Sequence, residues 1–564
     1  MKVFKTFCVT MLASGLMLGQ TSTPSNGSDS SNIASELKKL QDSMAAQQKA
    51  IAEQQKKIAE QQAEIEKLKH QQSGQEQTVS KSGDSQAARV VNASLTTVSP
   101  VTVAAKPPQD TQPKESPLSF RIGGADFTPG GFVDFTTIFR STNTGAPGGT
   151  NFFSIPFSNT VAGHLSETRL TAANSRLSIK AHDKFGKNDV TGYAEMDFLG
   201  NDAANVEVST NSHTFRQRLY FVDVKRDKFE FLAGQSWSWL TPNRVGVSPY
   251  PSDLFYSQNI DFNYQVGLTW TRAPQIRFIY HPNEHWAMGV ALENPEQFGG
   301  QIVNNQPEET FPAFFNAQLA GQIDQANSSA TPNLHPDIIP KVTYDTDFSG
   351  KHFHAEVAGL LTGIKTTNLI TGGTFVSHTK EGEGVSAAIN YEVVKNVHIV
   401  ANGFYSNGGA RYLFGSGPDV VALPTNAPGA TCAVTGAGCD VRLSLVHTGS
   451  GIVGVEAQIT PKTLIYSYYG GEYFQRNFAA DITNPKAGSF AGFGFPGSAA
   501  SNNRAIQEPT LGWNQTFWKH PQYGALQLMT QASYLTRSPW FVAAGAPKNA
   551  HLFLGMVNIR YVLP

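Results

Sequence analysis

From about residue 118 onward, apolar and polar side chains alternate with a period of two, strand after strand. Leu177, Ile179 and Ala181 alternate with Arg176, Ser178 and Lys180, and Leu219 and Phe221 with Arg218 and Tyr220. Trp286, Met288, Val290 and Leu292 alternate with His285, Ala287, Gly289 and Ala291. Phe353, Ala355, Val357 and Gly359 alternate with His354, Glu356 and Ala358, and Val385, Ala387, Ile389 and Tyr391 with Ser386, Ala388, Asn390 and Glu392. A pleated strand sends successive side chains to opposite faces, so each segment has one apolar and one polar face. A soluble sandwich would turn the apolar faces inward. A membrane barrel would turn them to lipid and line water with the polar ones. The 51 Gly, 36 Phe and 17 Tyr of this 564-residue chain, with only 15% charged residues, suit many short strands with aromatic flanks. With 43 Lys+Arg against 44 Asp+Glu there is no basic excess for nucleic acid.

The links between strands separate the two folds. Seven are short, near 183–188, 225–228, 281–285, 347–350, 394–396, 460–462 and 519–522. Eight are long: 141–167, 200–213, 237–263, 294–337, 363–380, 407–447, 474–506 and 536–549. Short and long alternate throughout. A membrane barrel has short turns at one end and long loops at the other, whereas a sandwich has no reason for such alternation. The expectation is an all-β, 16-stranded antiparallel transmembrane β-barrel over residues 118–564, with both ends on the short-turn side. Residues 264–280 read as one strand, because even-residue parity holds from Val266 to Tyr280. This puts Arg272 on the lipid face, which a bulge at Pro274 or a subunit interface would relieve. In the final strand Phe553, Val557, Ile559, Tyr561 and Leu563 share one face, with Asn558 and Arg560 on the other.

The first 117 residues are of another kind. Lys2 and Lys5 with the apolar stretch Phe4 to Leu18 read as a signal peptide over residues 1–20. Residues 33–70 carry unbroken heptads, with Leu37, Met44, Ile51, Ile58 and Ile65 at position a and Ile33, Leu40, Gln47, Gln54, Gln61 and Leu68 at position d. The three Gln layers need amide partners across the axis, which favours a parallel trimeric coiled coil over a solvated single helix. About 36 residues at about 1.5 Å each give a rod of about 54 Å. Residues 71–117, rich in Gln, Ser, Thr and Pro, read as an extended linker. Cys8 falls in the signal peptide, leaving Cys432 and Cys439 in T-C-A-V-T-G-A-G-C. In an exported Gly-rich loop this pair reads as a local disulfide. A metal pair is the rival, but no His or second pair stands beside it.

An exported chain with heptads, a linker and such a barrel resembles the DcaP-like family of outer-membrane porins. The local likeness lies in A-N-S-R-L-S-I-K (173–180), G-Y-A-E-M-D-F-L-G (192–200), R-Q-R-L-Y-F-V-D-V (216–224), F-L-A-G-Q-S-W-S (231–238), R-A-P-Q-I-R-F (272–278) and V-A-L-E-N-P (290–295). The resemblance implies a homotrimer of 16-stranded barrels in the outer membrane of a Gram-negative-type bacterium, with a periplasmic N-terminal coil. It also implies passage of small, mainly anionic solutes such as dicarboxylates. The terminal Pro564 and the Gly/Phe-rich stretch 474–506 depart from that pattern.

A 16-stranded barrel leaves an aqueous channel whose selectivity follows from its width and wall charge. Parity turns Arg176, Lys180, Arg216, Arg218, Arg277 and Lys341 into the lumen, and also Glu195, Asp197, Glu293, Glu356, Glu392 and Glu456. A basic arc facing an acidic arc would set a transverse field, and Arg grips carboxylates in a bidentate manner. Arg176, Arg216 and Arg218 are the first choice for solute contact. The loop 237–263, with Arg244, Tyr250 and Asp253, is either an inward-folded constriction or an outer-surface loop at the trimer axis. The chain has no G-x-S-x-G, no H-E-x-x-H and no phosphate-binding Gly loop, so neither an enzyme nor a cofactor is expected. The remaining rival is an envelope scaffold, whose coil would space the membrane from a periplasmic or cell-wall partner.

Overall fold

The computed structural model describes residues 116–564 apart from 202–212, 255–256, 300–311, 313, 316–321, 325–330, 371 and 485–487. The signal peptide, the coiled-coil heptads and the linker up to residue 115 lie outside the described residues.

Sixteen antiparallel staves close on themselves: β1 (Ala125–Arg140), β2 (Glu167–Thr171 and Arg176–Phe185), β3 (Asn188–Asp197), β4 (Arg216–Arg226), β5 (Phe229–Trp237), β6 (Arg272–Tyr280), β7 (Trp286–Glu293), β8 (Asp337–Phe348), β9 (Lys351–Ile370), β10 (Thr374–Val394), β11 (Val397–Asn407), β12 (His447–Thr460), β13 (Thr463–Phe474), β14 (Asn503–His520), β15 (Gly524–Pro539) and β16 (Ala550–Val562). The sheet also contains the short segment Phe120–Ile122, which pairs with the start of β1. β2 is one stave in two pieces, both paired with β1. Closure comes from β1 pairing with β16 between Phe132↔Val562 and Arg140↔Leu554. A closed sheet has no unpaired edge, which is what allows strands to span a hydrocarbon layer.

The apolar faces point outward. Val557 and Ile559 on β16, Val357 on β9 and Leu511 on β14 are about half exposed, while Asn558 and Thr510 beside them are buried within the barrel. Aromatic pairs ring both ends of this surface. Phe229–Tyr280, Trp286–Tyr344, Phe353–Tyr391 and Trp518–Tyr561 lie near the short turns, and Phe139–Phe553, Tyr405–His447 and Tyr534–His551 near the long loops. Tyr561 stands eight residues after Phe553, about 26 Å along the strand and about 20 Å in height at a tilt of about 40°, which fits within a lipid-facing apolar band of about 25 Å.

All seven short links hold, and the long links hold with three revisions. Residues 363–380 are not a loop. β9 and β10 stay paired from Phe353↔Tyr391 to Ile370↔Thr374 as a hairpin longer than a bilayer requires. Residues 407–447 and 474–506 contain small hairpins of their own, Val420–Asn426 with Cys439–Leu445 and Asn477–Ala480 with Phe490–Phe493. The stretch 264–280 is not one strand, since β6 begins at Arg272 and residues 264–271 belong to the preceding loop. Arg272 is therefore not stranded in lipid: its guanidinium stands 5.5 Å from the Trp237 ring centroid.

Parity also fails in β4, and the cause is a bulge. Glu195 pairs with Leu219 but Met196 pairs with Gln217, so one residue of β4 is extra. Arg218 and Leu219 are thus both buried inside, Phe221 follows Leu219 inward, and Tyr220 and Val222 face out.

Placing a charge on the outward face should expose its lipid contact. Val557→Arg is expected to cost about 2–4 kcal/mol, read as a lower urea midpoint for folding in lipid vesicles. An unchanged midpoint would mean that this face of β16 does not meet lipid.

Candidate functional site

The loop from Ser238 to Thr271, between β5 and β6, folds into the barrel and hydrogen-bonds to the inner face of every strand from β7 to β15. Trp239 N donates to Glu293 Oε1 on β7 (2.6 Å), and Gly246 N to the Asp345 carboxylate on β8 (3.1 Å). Asn243 N donates to Glu356 Oε2 on β9 (3.1 Å), and Asn390 Nδ2 on β10 to Arg244 O (3.0 Å). Thr269 Oγ1 reaches Asn402 Oδ1 on β11 (2.9 Å). Arg244 grips Glu456 on β12 with both terminal nitrogens (2.8 and 2.7 Å). Gly267 N donates to Glu472 on β13 (3.1 Å), Val266 N to Glu508 on β14 (2.9 Å), and Ile260 N to Gln531 on β15 (2.6 Å). Gly267 adopts φ +91° where the loop lies on β12 and β13, and a Cβ there would come within 2.4 Å of Gly451 O. On the wall beneath it, Gly470 leaves room for the Val266 carbonyl.

Of the two placements left open for this loop, the inward one is observed. Irregular backbone at membrane depth is tolerated where it is buried in protein or lines water, and the loop amides pressed against the wall need protein partners. The wall carboxylates supply them. Glu293, Glu356, Glu472, Glu508 and Asp345 accept loop N–H groups, and Glu456 accepts Arg244 and the Tyr468 hydroxyl. Of the six acids that parity turns inward, Glu293, Glu356 and Glu456 are thus buried under the loop and do not face an open channel; Glu195 and Asp197 are buried against Arg218, and Glu392 accepts the Asn396 N–H (2.7 Å) at a short turn.

The six cations read from parity all lie on inner faces, but they divide into two groups. Lys341 is buried and donates to Glu356 Oε2, Asn243 Oδ1 and Thr241 O (3.0, 3.0 and 3.2 Å). Arg277 is buried, donating Nε to Gln275 Oε1 (2.6 Å) and another nitrogen to the Trp237 carbonyl, with Trp239 over its guanidinium. Arg218 is buried and donates to Glu195 Oε1 (2.7 Å), Asp197 Oδ2 (2.8 Å) and the Tyr264 hydroxyl (3.2 Å). These three brace the loop and its root. The other three are accessible. The side chain of Arg216 is 36% exposed while clasping Asp197 (2.7 and 3.0 Å). Arg176 is 13% exposed and 4.0 Å from Glu195 Oε1. Lys180 is exposed and lies over Tyr250 at 5.5 Å from the ring centroid. Among the loop residues, Arg244 reaches the wall at Glu456. Tyr250 lies beneath Lys180 with its ring 6.0 Å from that of Phe221. Asp253 has a more local role: its carbonyl accepts Arg244 N (2.7 Å) and its carboxylate accepts the neighbouring Ser252 hydroxyl (3.1 Å).

The inner face of β2 is left largely uncovered, and Ser178 and His182 keep partial exposure beside Lys180. Closing this side is Arg560 of β16, which clasps Asp134 (2.8 and 3.0 Å) and stacks on Phe132 at 4.1 Å. Arg560 was visible by parity, but nothing in its local sequence links it to Arg176, because the two strands meet only through closure with β1. Glu472, Glu508 and Gln531 were missed as loop anchors for the same reason. Cys432 and Cys439 are bonded to each other beside the small hairpin of the loop 408–446.

No protein-family model matches this sequence, and no curated protein matches it. Among solved structures, the outer membrane channel DcaP of Acinetobacter baumannii superposes with a TM-score of 0.53 at 17% identity, over 78% of this chain and 98% of that one. Pseudomonas putida OprB gives a TM-score of 0.42 at 12% identity, over 78% and 94% of the two chains. Salmonella typhi OmpF gives 0.42 at 12%, over 79% and 100%. The fold is shared with the DcaP channel, in agreement with the resemblance drawn from the strand motifs; the two weaker likenesses carry no further weight.

If the loop narrows the lumen, cutting its strongest tether should widen it. Arg244→Ala leaves Glu456 buried without its cation, a loss of about 3–5 kcal/mol for this contact. The expected outcome is a larger and noisier single-channel conductance in planar bilayers; a conductance equal to that of the unaltered protein would contradict it.

Proposed function

We propose that this protein is an outer-membrane porin, a channel for passive diffusion of small hydrophilic solutes with a preference for anions such as dicarboxylates. One observation carries the reading: most acids of the inner wall are buried while Arg176, Lys180 and Arg216 stay accessible, and the inward acids that keep exposure, Asp189 (38%) and Asp345 (18%), are held by His182 and by Gly246 and His354. The side chains of Glu356, Glu456 and Asp197 are 3%, 2% and 0% exposed, against 13% for Arg176 and 36% for Arg216. The cluster around Arg218 joins Arg176, Arg216, Arg218 and Arg272 to Glu195 and Asp197, so it keeps a positive balance. A fixed positive wall lowers the entry cost for anions and raises it for cations. Solutes move along β2, past Arg176, Lys180 and Arg216, while Arg218, Arg277 and Lys341 hold the loop that sets the width.

The heptads of residues 33–70 support a homotrimer with its coil in the periplasm. They equally suit a tether to the cell wall, and the two roles are separable. A chain lacking residues 33–70 that still conducts as a porin assigns the coil to assembly or anchoring and the barrel to transport.

Reversal potentials across a potassium chloride gradient test the preference. The unaltered channel is expected to favour chloride, and joint replacement of Arg176 and Lys180 by Ala to move the reversal potential toward that of potassium. An unmoved potential in the double variant would remove these two residues from the pathway.

A further inference from the structure

Between the uncovered wall and the loop lies a pocket in which part of the polar lining has no protein partner. It is bounded by Phe132, Arg176 and Arg560 on the β1, β2 and β16 side, by Asn514 on β14, and by Ser257 and Asn259 on the loop, with Asn174 at the break in β2. Five of these residues have a buried polar atom without a hydrogen-bond partner: Arg176 Nε, Ser257 Oγ, Asn174 Oδ1, Asn259 Oδ1 and Asn514 Oδ1. Asn174, Ser257 and Asn514 are more than nine-tenths buried. Buried polar groups normally find partners, and five orphans around one pocket point to an occupant that supplies them.

The chemistry of the orphans restricts that occupant. The amide nitrogen of Asn259 already donates to Tyr264 O (3.0 Å) and Gln265 Oε1 (2.8 Å), which fixes its oxygen as an acceptor left for the pocket. Chloride or a bare carboxylate has no donor for it. Arg176 Nε needs an acceptor, and the Glu195 carboxylate stands 4.0 Å from the guanidinium. Arg560 adds a second guanidinium across the Phe132 ring, its own charge already matched by Asp134. Asp261 also borders the pocket; its carboxylate accepts the N–H groups of Thr150 (3.1 Å) and Asn263 (2.9 Å), and it would disfavour a second carboxylate on that side. One end thus calls for an anion and the rest for hydroxyl donors.

We infer that this pocket is a solute-binding subsite for a carboxylate that carries several hydroxyl groups, held by Arg176 at the carboxylate and by the Asn259, Asn514 and Ser257 side chains at the hydroxyls. The assignment rests on the anion pathway proposed above and specifies which anion dwells in it. A passing dicarboxylate meets only the basic end, whereas a hydroxylated monocarboxylate meets both ends.

Saturable block of single-channel chloride current tests this, with gluconate as the probe, hexanoate as the matched carboxylate without hydroxyls, and serine as the zwitterion. Gluconate is expected to block saturably at millimolar concentration while hexanoate and serine do not. Asn514→Leu and, independently, the loop variant Ser257→Ala should each raise the half-blocking gluconate concentration about three- to tenfold, the size of one or two lost hydrogen bonds. Equal block by hexanoate, block by serine alone, or gluconate block unchanged in both variants would overturn the subsite. The reversal potential of the same channels keeps the two readings apart. Anion selectivity without gluconate block removes the subsite alone, and gluconate block in a channel that favours potassium removes the anion pathway and keeps the binding site.

Discussion

The interior of this barrel is organised by the need of one irregular segment, residues 238–271, to satisfy its backbone at membrane depth. An N–H group buried between loop and wall, out of reach of the lumen's water, would cost about 1–3 kcal/mol if unpaired. The wall answers with carboxylates: Glu293, Asp345, Glu356, Glu472 and Glu508 each take a loop amide, and Glu456 takes Arg244. Because these acceptors are distributed from β7 to β14, with Gln531 extending them to β15, the loop is pinned along its length and not only at one tip. The close approach at Gly267 and Gly470 belongs to the same requirement, since any side chain there would lift the loop off the wall.

Charge asymmetry in the lumen follows from this arrangement. An acid that accepts a backbone hydrogen bond under a loop is screened from a passing ion, and a base left beside open space is not. Parity turns six acids and six bases inward, yet on the reading proposed above the charges left open beside β2 are mainly Arg176, Lys180 and Arg216, with Asp189 held by His182. A preference for anions therefore does not need a basic chain; it needs the acids to be occupied. The orphaned polar atoms around Asn259 extend the same logic, because five of them border one pocket beside the basic strip.

Most of the barrel was legible in the sequence. Period-two alternation fixed which residues face lipid on β6, β7, β9, β10 and β16, and the alternation of short and long links gave sixteen staves. Legibility failed where a local pattern and a tertiary contact disagree. Residues 264–270 keep strand parity because Val266 and Leu268 pack against the inner wall, so their apolar character was read as lipid contact when it is loop contact. Leu219 and Phe221 misled in the same way, since a bulge invisible to single-strand parity turned them inward onto Tyr250 and Tyr264. Parity also assigned Arg218, Arg277 and Lys341 to the lumen rightly, but it has no means of seeing that a distant loop would occupy them. Only their burial separates a brace from a solute contact.

The loop covers the inner wall from β7 to β15, and on the proposed reading this leaves β2 as a basic lane. Single cysteines at two inward positions read this directly through their rates of modification by small charged thiol reagents. At Ser178 on β2 the account predicts rapid labelling, faster with an anionic than with a cationic reagent, and at the buried Thr343 on β8 almost none. Comparable labelling at both positions, or faster reaction of the cationic reagent at Ser178, would contradict it.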